Sequence, residues 1–218
     1  MRAEDPITWA VLSPDGQTVA TGNKTERVRF WNTRTGEMRG VVDGHTSDGS
    51  GDGALAFSPD NHRFVSVHGA TANIWDAASF QRLASLPKHK MLIRSCAWSL
   101  DGKLLATGSL DGTIVLWDTA ADKYLVTLTG GMETIGRVAF SRDGRTLATT
   151  GSGAVKLWNL ATQRDVATLT HLASPFELLF VPGDRELLVG CHGGEFQLLH
   201  APPFEEIEAS EAKQTSRQ

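Results

Sequence analysis

Seven histidines, two cysteines and one glycine- and aspartate-rich run are the residues of this chain best suited to holding metals or moving protons. The run, DGHTSDGSGDG at 43–53, has acidic side chains at the alternate spacing of a calcium loop. Counted from Asp48, such a loop takes Ser50, Asp52 and Gly53 in order. Its twelfth place needs a bidentate glutamate, and the chain has Pro59 there. His68, His192 and His200 lack the H-x-x-x-H or C-x-x-C spacing of a metal site. His62 falls in a tight turn, and His192 follows Cys191 directly, so on a strand the two point to opposite faces. The stretches TGSLDG (107–112) and TTGSG (149–153) lack the lysine and following helix of a phosphate-binding loop. No G-x-S-x-G elbow for a nucleophilic serine occurs. Neither a metal nor another cofactor is expected, and no catalytic residue is assigned.

The remaining histidines, His45, His89 and His171, recur at one place in a larger pattern. A turn tetrapeptide appears as SPDG, SPDN, SLDG and SRDG at 13, 58, 99 and 141, with a worn VPGD at 181. The starts are 45, 41, 42 and 40 residues apart. A second marker keeps the same period: Trp31-Asn32, Trp75-Asp76, Trp117-Asp118, Trp158-Asn159 and a degraded Leu199-His200. Between the markers the apolar pattern has period two, which means strands. Leu12, Phe57, Trp98, Phe140 and Phe180 form one column, and Ala10, Leu55, Cys96, Val138 and Leu178 form another on the same strand face. Four short antiparallel strands in about 42 residues make one blade of a β-propeller. Five blades are expected over about 7–43, 52–87, 93–129, 135–170 and 175–207 of a propeller unit at 1–207. A polar tail follows at 208–218, with a short helix expected within EEIEASEAKQ.

These markers resemble the WD-repeat family of β-propellers over residues 7 to about 207. Blade three is the nearest match, with ATGSLDGTIVLWD following Lys88-His89. The resemblance implies a structural hydrogen-bond tetrad of His89, Thr107 or Ser109, Asp111 and Trp117. The other blades depart from it. Blade two has His45, Ser66 and Trp75 without the turn aspartate, blade four keeps only Thr149 and Trp158, blade one only Thr21 and Trp31, and blade five only His171. The final repeat, LLHAPPFEEIEASEAK, is similar to the C-terminal ends of large bacterial WD-repeat proteins.

The strand count leaves the fifth blade with three strands and no closing strand. An open arc would bare a blade face at each end, with half a dozen large side chains per face at about 1.5–3 kcal/mol each, roughly 10 kcal/mol in all. That rivals the whole stability of a domain, about 5–15 kcal/mol. A strained five-blade closure, self-association, or membership of a longer chain with upstream blades would each resolve it, and the last is the expectation.

Composition narrows the function classes. A net charge of -4 with scattered Lys and Arg gives no pull towards nucleic acid or an anionic membrane. The N-terminus has no apolar signal region, and no stretch approaches the eighteen apolar residues of a membrane helix. Cys96 and Cys191 sit in apolar strand runs as reduced thiols, so the cytoplasm is the default compartment. The expected function is a non-catalytic scaffold that binds a protein or peptide. Trp9 stands in the variable inner-strand column with Ala54, Ser95, Arg137 and Glu177, at the end that in WD-repeat proteins lies near the channel mouth. Aromatic and arginine residues are enriched at binding hot spots, so Trp9, Arg94, Arg137 and Glu177 are the candidate contacts. Two other classes stay open: a self-associating structural segment, and a propeller hydrolase with a channel metal, which would need converging acidic or histidine ligands.

Overall fold

A computed structural model describes residues 7, 9–22, 27–43, 54–170, 172, 174–183 and 185–200. His45, His171, the run after Asp43 and the expected C-terminal helix lie outside the described residues. Nineteen strands form five antiparallel sheets among those residues. Blade one comprises β1 (Trp9–Leu12), β2 (Thr18–Gly22), β3 (Arg27–Asn32) and β4 (Met38–Asp43). Blade two has β5 (Leu55–Phe57), β6 (Arg63–His68), β7 (Thr71–Asp76) and β8 (Arg82–Pro87). In blade three these are β9 (Ile93–Trp98), β10 (Leu104–Ser109), β11 (Thr113–Asp118) and β12 (Lys123–Thr129). Blade four contains β13 (Arg137–Phe140), β14 (Thr146–Gly151), β15 (Ala154–Asn159) and β16 (Arg164–Leu169). Blade five has only β17 (Pro175–Phe180), β18 (Glu186–Cys191) and β19 (Glu195–His200). Strands pair in chain order within each sheet, and the first strands of successive blades lie side by side.

The turn tetrapeptide earns its recurrence through its hydrogen bonds. Ser13, Ser58, Ser99 and Ser141 each donate a hydroxyl to the aspartate two residues on, at 2.6–2.7 Å. Each serine oxygen also accepts the amide five residues on, at 2.9–3.0 Å. The aspartates accept a further amide beyond the turn, so donors surround each carboxylate. Hydrogen bonding from the serine hydroxyl accordingly holds Asp15, Asp60 and Asp101 below their ordinary pKa. The fourth residue needs a left-handed backbone, φ 62–71°, and is Gly16, Asn61, Gly102 or Gly144. The second marker is also a turn device. Asn32, Asp76, Asp118 and Asn159 each accept the amides two and three residues on, closing the connection to the outer strand.

Packing follows the register. Each blade has a forward row and a backward row across its inner three strands. The forward rows Val11–Ala20–Phe30, Ala56–Val65–Ile74, Ala97–Ala106–Leu116 and Ala139–Ala148–Leu157 pack onto the next blade. There they meet the backward rows Phe57–Phe64–Trp75, Trp98–Leu105–Trp117, Phe140–Leu147–Trp158 and Phe180–Leu187–Leu199. The result is four apolar clusters, one between each successive pair of blades. Arg63 of blade two adds a polar clamp, donating to Thr119 O at 2.7 Å with its guanidinium 5.3 Å from the Trp98 ring centre. Among the described residues no apolar cluster joins blade five to blade one, so the described strands form an open arc.

Candidate functional site

The inner strands deliver the variable column to one end of the channel. Trp9, Ala54, Ser95, Arg137 and Glu177, one from each blade, line a cavity of about 310 Å³ there. Space for two of the large members comes from the neighbouring strand: Trp9 pairs with Gly22 and Glu177 with Gly190. A Cβ at Gly22 would fall 2.1 Å from the Trp9 ring, so the indole lies directly on that backbone. Trp9 thus packs against the core between blades one and two while lining the mouth. Arg137 stands 3.8 Å from the Glu177 carboxylate, a loose and half-exposed pair. Its backbone amide is fixed by Thr150 Oγ1 at 2.9 Å.

Arg94 does not line that cavity. It lies in an adjoining groove of about 540 Å³, which Arg137 also lines. Phe176 and His192 stand on the far wall, ring centres 5.0 Å apart. Neither was singled out as a contact from the sequence, although the repeat sets Phe176 opposite Arg94, and these two each stand at a bulge that skips one residue of the inner strand. The candidate contacts therefore fall on two connected surfaces that share Arg137. Cys96 lies deeper in the channel. Burial pushes its thiol up to about 12, with Arg137 pulling weakly the other way, so it stays protonated and inert. Both cysteines are free. At the opposite end, a wider recess of about 560 Å³ is lined by all five blades and is mostly apolar. No group of three or more His, Cys, Asp or Glu among the described residues could hold a metal.

Blade three contains the one full polar chain described. Trp117 Nε1 donates to Thr107 Oγ1 at 3.0 Å, and Thr107 Oγ1 stands 2.8 Å from His89 Nε2. His89 Nδ1 lies 3.3 Å from Asp111 Oδ2. A carboxylate only accepts, so Nδ1 carries the proton and Nε2 accepts from the threonine. Burial lowers the His89 pKa against the pull of Asp111, consistent with a neutral ring. Burial opposes ionisation of Asp111 too, yet bonds from Thr113 and the Lys90 amide outweigh it and keep its pKa low. The order hydroxyl–imidazole–carboxylate is that of a nucleophile relay, but Thr107 is 0% exposed and no substrate can reach it. Of the two hydroxyls expected in this place, Thr107 occupies it. Ser109 instead donates to Met91 O at 3.0 Å and accepts the Asp111 amide at 3.1 Å.

Trp31, Trp75 and Trp158 make the same indole bond, to Thr21, Ser66 and Thr149 at 2.8–2.9 Å. In blade four the place of the histidine is taken by Met132, whose sulfur lies 3.8 Å from Thr149 Oγ1. Sequence spacing offered one signal, since Met132 follows His89 by 43 residues, about one repeat.

Comparison with known proteins agrees with this geometry. A family model described as "WD domain, G-beta repeat" matches residues 80–118 and 122–159, that is, β8 to β11 and β12 to β15. The chain is 32% identical to Protein FIZZY-RELATED 3 of Arabidopsis thaliana over 111 residues, half of this chain and 22% of that protein. It is 35% identical to the B-type cell cycle switch protein ccs52B of Medicago truncatula, again over 22% of that protein. Both relatives are from plants, so they lend no support to the bacterial likeness expected from the last repeat. The fold superposes on a structure of U3-55K with a TM-score of 0.79 at 22% identity, covering 92% of this chain and 62% of that one. No helix among the described residues is long and apolar enough to cross a membrane. The fold is thus a propeller of WD40 type, and the repeats matched by the family model are those that end in Trp117-Asp118 and Trp158-Asn159.

Proposed function

We propose that the chain is a non-catalytic scaffold that holds a protein or peptide partner at the polar end of its channel, with Trp9, Arg94, Arg137 and Glu177 as contacts. WD40 proteins typically serve as interaction scaffolds. The observation that carries this reading is Arg137, which borders both the channel mouth and the groove containing Arg94 and Phe176. A peptide lying across it would meet cationic, anionic and aromatic groups on one continuous surface, the mixture that marks binding hot spots. The one hydroxyl–imidazole–carboxylate chain is sealed inside a blade, which favours binding over catalysis. Alanine at Arg94 and Arg137 together, with Trp9→Phe to spare its packing, should deplete partners recovered by affinity purification and quantitative mass spectrometry. Arg82→Ala, on the outer strand β8, serves as the control and should not. An unchanged partner set in the triple variant would sink the assignment. A second reading, self-association, is favoured by the bare faces of the end blades.

A further inference from the structure

Blade five presents a forward row like those that the other four blades bury. Leu179, Leu188 and Leu198 are paired in register, at the positions of Ala139–Ala148–Leu157 in blade four. Ala148 and Leu157 are 0% and 1% exposed, whereas Leu179 and Leu198 are 59% and 58% exposed. Phe196 stands in the adjoining row at 67%, where Val28, Ala72, Ile114 and Val155 are fully buried. The backward face of blade one is the reciprocal case. Leu12 pairs with Val19, and Val19 with Trp31, in the register of Phe57–Phe64–Trp75; Leu12 at the inner end is 57% exposed and Val19 is half-buried, while Trp31 is buried at 7%.

The exposed inner residues of the two rows are matched in volume. At the innermost position of the four built interfaces, a small forward residue (Val11, Ala56, Ala97 or Ala139) meets a bulky aromatic (Phe57, Trp98, Phe140 or Phe180). At the ends the sizes change together: the forward residue grows to Leu179, and the backward one shrinks to Leu12. Close packing favours such compensation across a contact.

We propose that these faces are the two halves of one joint, filled by a second copy of the chain, with blade five of one copy seated on blade one of the next. This rests on the self-association reading above and adds which surfaces meet. The chain builds a forward-on-backward interface four times, and a second copy brings both missing halves. The pairing is heterologous, so an assembly keeps one free half of each kind, one at either end, unless it closes.

Sedimentation equilibrium of the wild-type chain, diluted from about 100 μM, should show dimers or longer assemblies. Leu12→Glu and Leu198→Glu, both at exposed positions, should each weaken association at least tenfold while circular dichroism stays native. Mixed one to one, the two variants should form dimers and nothing larger, because one sound joint remains between them. Wild-type chain that stays monomeric would overturn both self-association and this joint. If the chain associates but Leu12→Glu leaves association intact, head-to-tail pairing is overturned while self-association stands.

Discussion

Blades three and four share a register, a turn and an indole bond, but they fill the same internal place with opposite chemistry. In blade three the Thr107 hydroxyl bridges Trp117 and His89, and the chain ends on the Asp111 carboxylate. In blade four Thr149 accepts the Trp158 indole and faces only the Met132 sulfur. Both arrangements bury their tryptophan, at 3% and 1% exposure. The difference teaches that the indole–hydroxyl pair is the common unit of these blades, recurring as Trp31–Thr21 and Trp75–Ser66, whereas the histidine and aspartate are an addition. A thioether can stand where an imidazole stood because it fills an irregular gap and leaves no strong donor unpaired.

The largest expected effect separates the two threonines. Thr107→Val strands two buried partners, the Trp117 N–H and the His89 Nε2, and should cost about 2–6 kcal/mol at roughly 1–3 per unsatisfied group. Thr149→Val strands only the Trp158 N–H and should cost about 1–3 kcal/mol. Urea denaturation of both variants measures the gap, and equal losses would show that His89 contributes nothing to the blade.

Next comes His89→Met, which gives blade three the arrangement of blade four. It leaves Asp111 with its Lys90 and Thr113 donors but removes the acceptor of the Thr107 hydroxyl, a loss of about 1–3 kcal/mol near pH 7.5. Because burial depresses the His89 pKa below its ordinary 6.5, the unfolded chain takes up that proton first as the pH falls. The stability tied to the neutral ring is therefore present above about pH 6.5 and is lost as the pH drops through the folded pKa. The gap between wild type and His89→Met should accordingly narrow between pH 7.5 and 5, as read by thermal melts. A constant gap would mean that the ring does not titrate differently in the two states.

How much of this was legible in sequence depends on what each feature needs. The turns and apolar columns were readable because serine, aspartate and glycine at fixed offsets have few other uses, and period-two burial is a property of one strand at a time. The choice between Thr107 and Ser109 was not. The two are two apart and so share a nominal strand face, until the register shift between Gly108 and Ser109, at the end of β10, leaves the Ser109 hydroxyl with Met91 O and the Asp111 amide. Met132 was invisible to a search for polar tetrads, since it replaces a hydrogen-bonding group with volume. The split of the candidate contacts between a cavity and a groove also escaped the column. It depends on the bulges that set Arg94 and Phe176 out of the strand ladder and on Gly22 and Gly190, which make room from the neighbouring strand.

The smallest effect tests whether the turns, rather than the tetrad, equalise the two blades. Blades three and four both make the connection to their outer strand with a non-glycine residue in the left-handed region, Asp122 at φ 49° and Gln163 at φ 60°. Blade one has Gly36 there at φ 72°, without that penalty. Gln163 is exposed, so its replacement by glycine removes backbone strain without opening a cavity. Set against the greater entropy of glycine in the unfolded chain, the net gain from Gln163→Gly should be under about 1 kcal/mol. Asp122 also receives the Arg63 guanidinium at 3.4 Å, so Asp122→Gly gives up part of the clamp between blades two and three and should gain less. Melting temperatures that rise for Gln163→Gly and stay level or fall for Asp122→Gly would place the difference in the clamp. A fall in both would mean that the left-handed turns carry no strain.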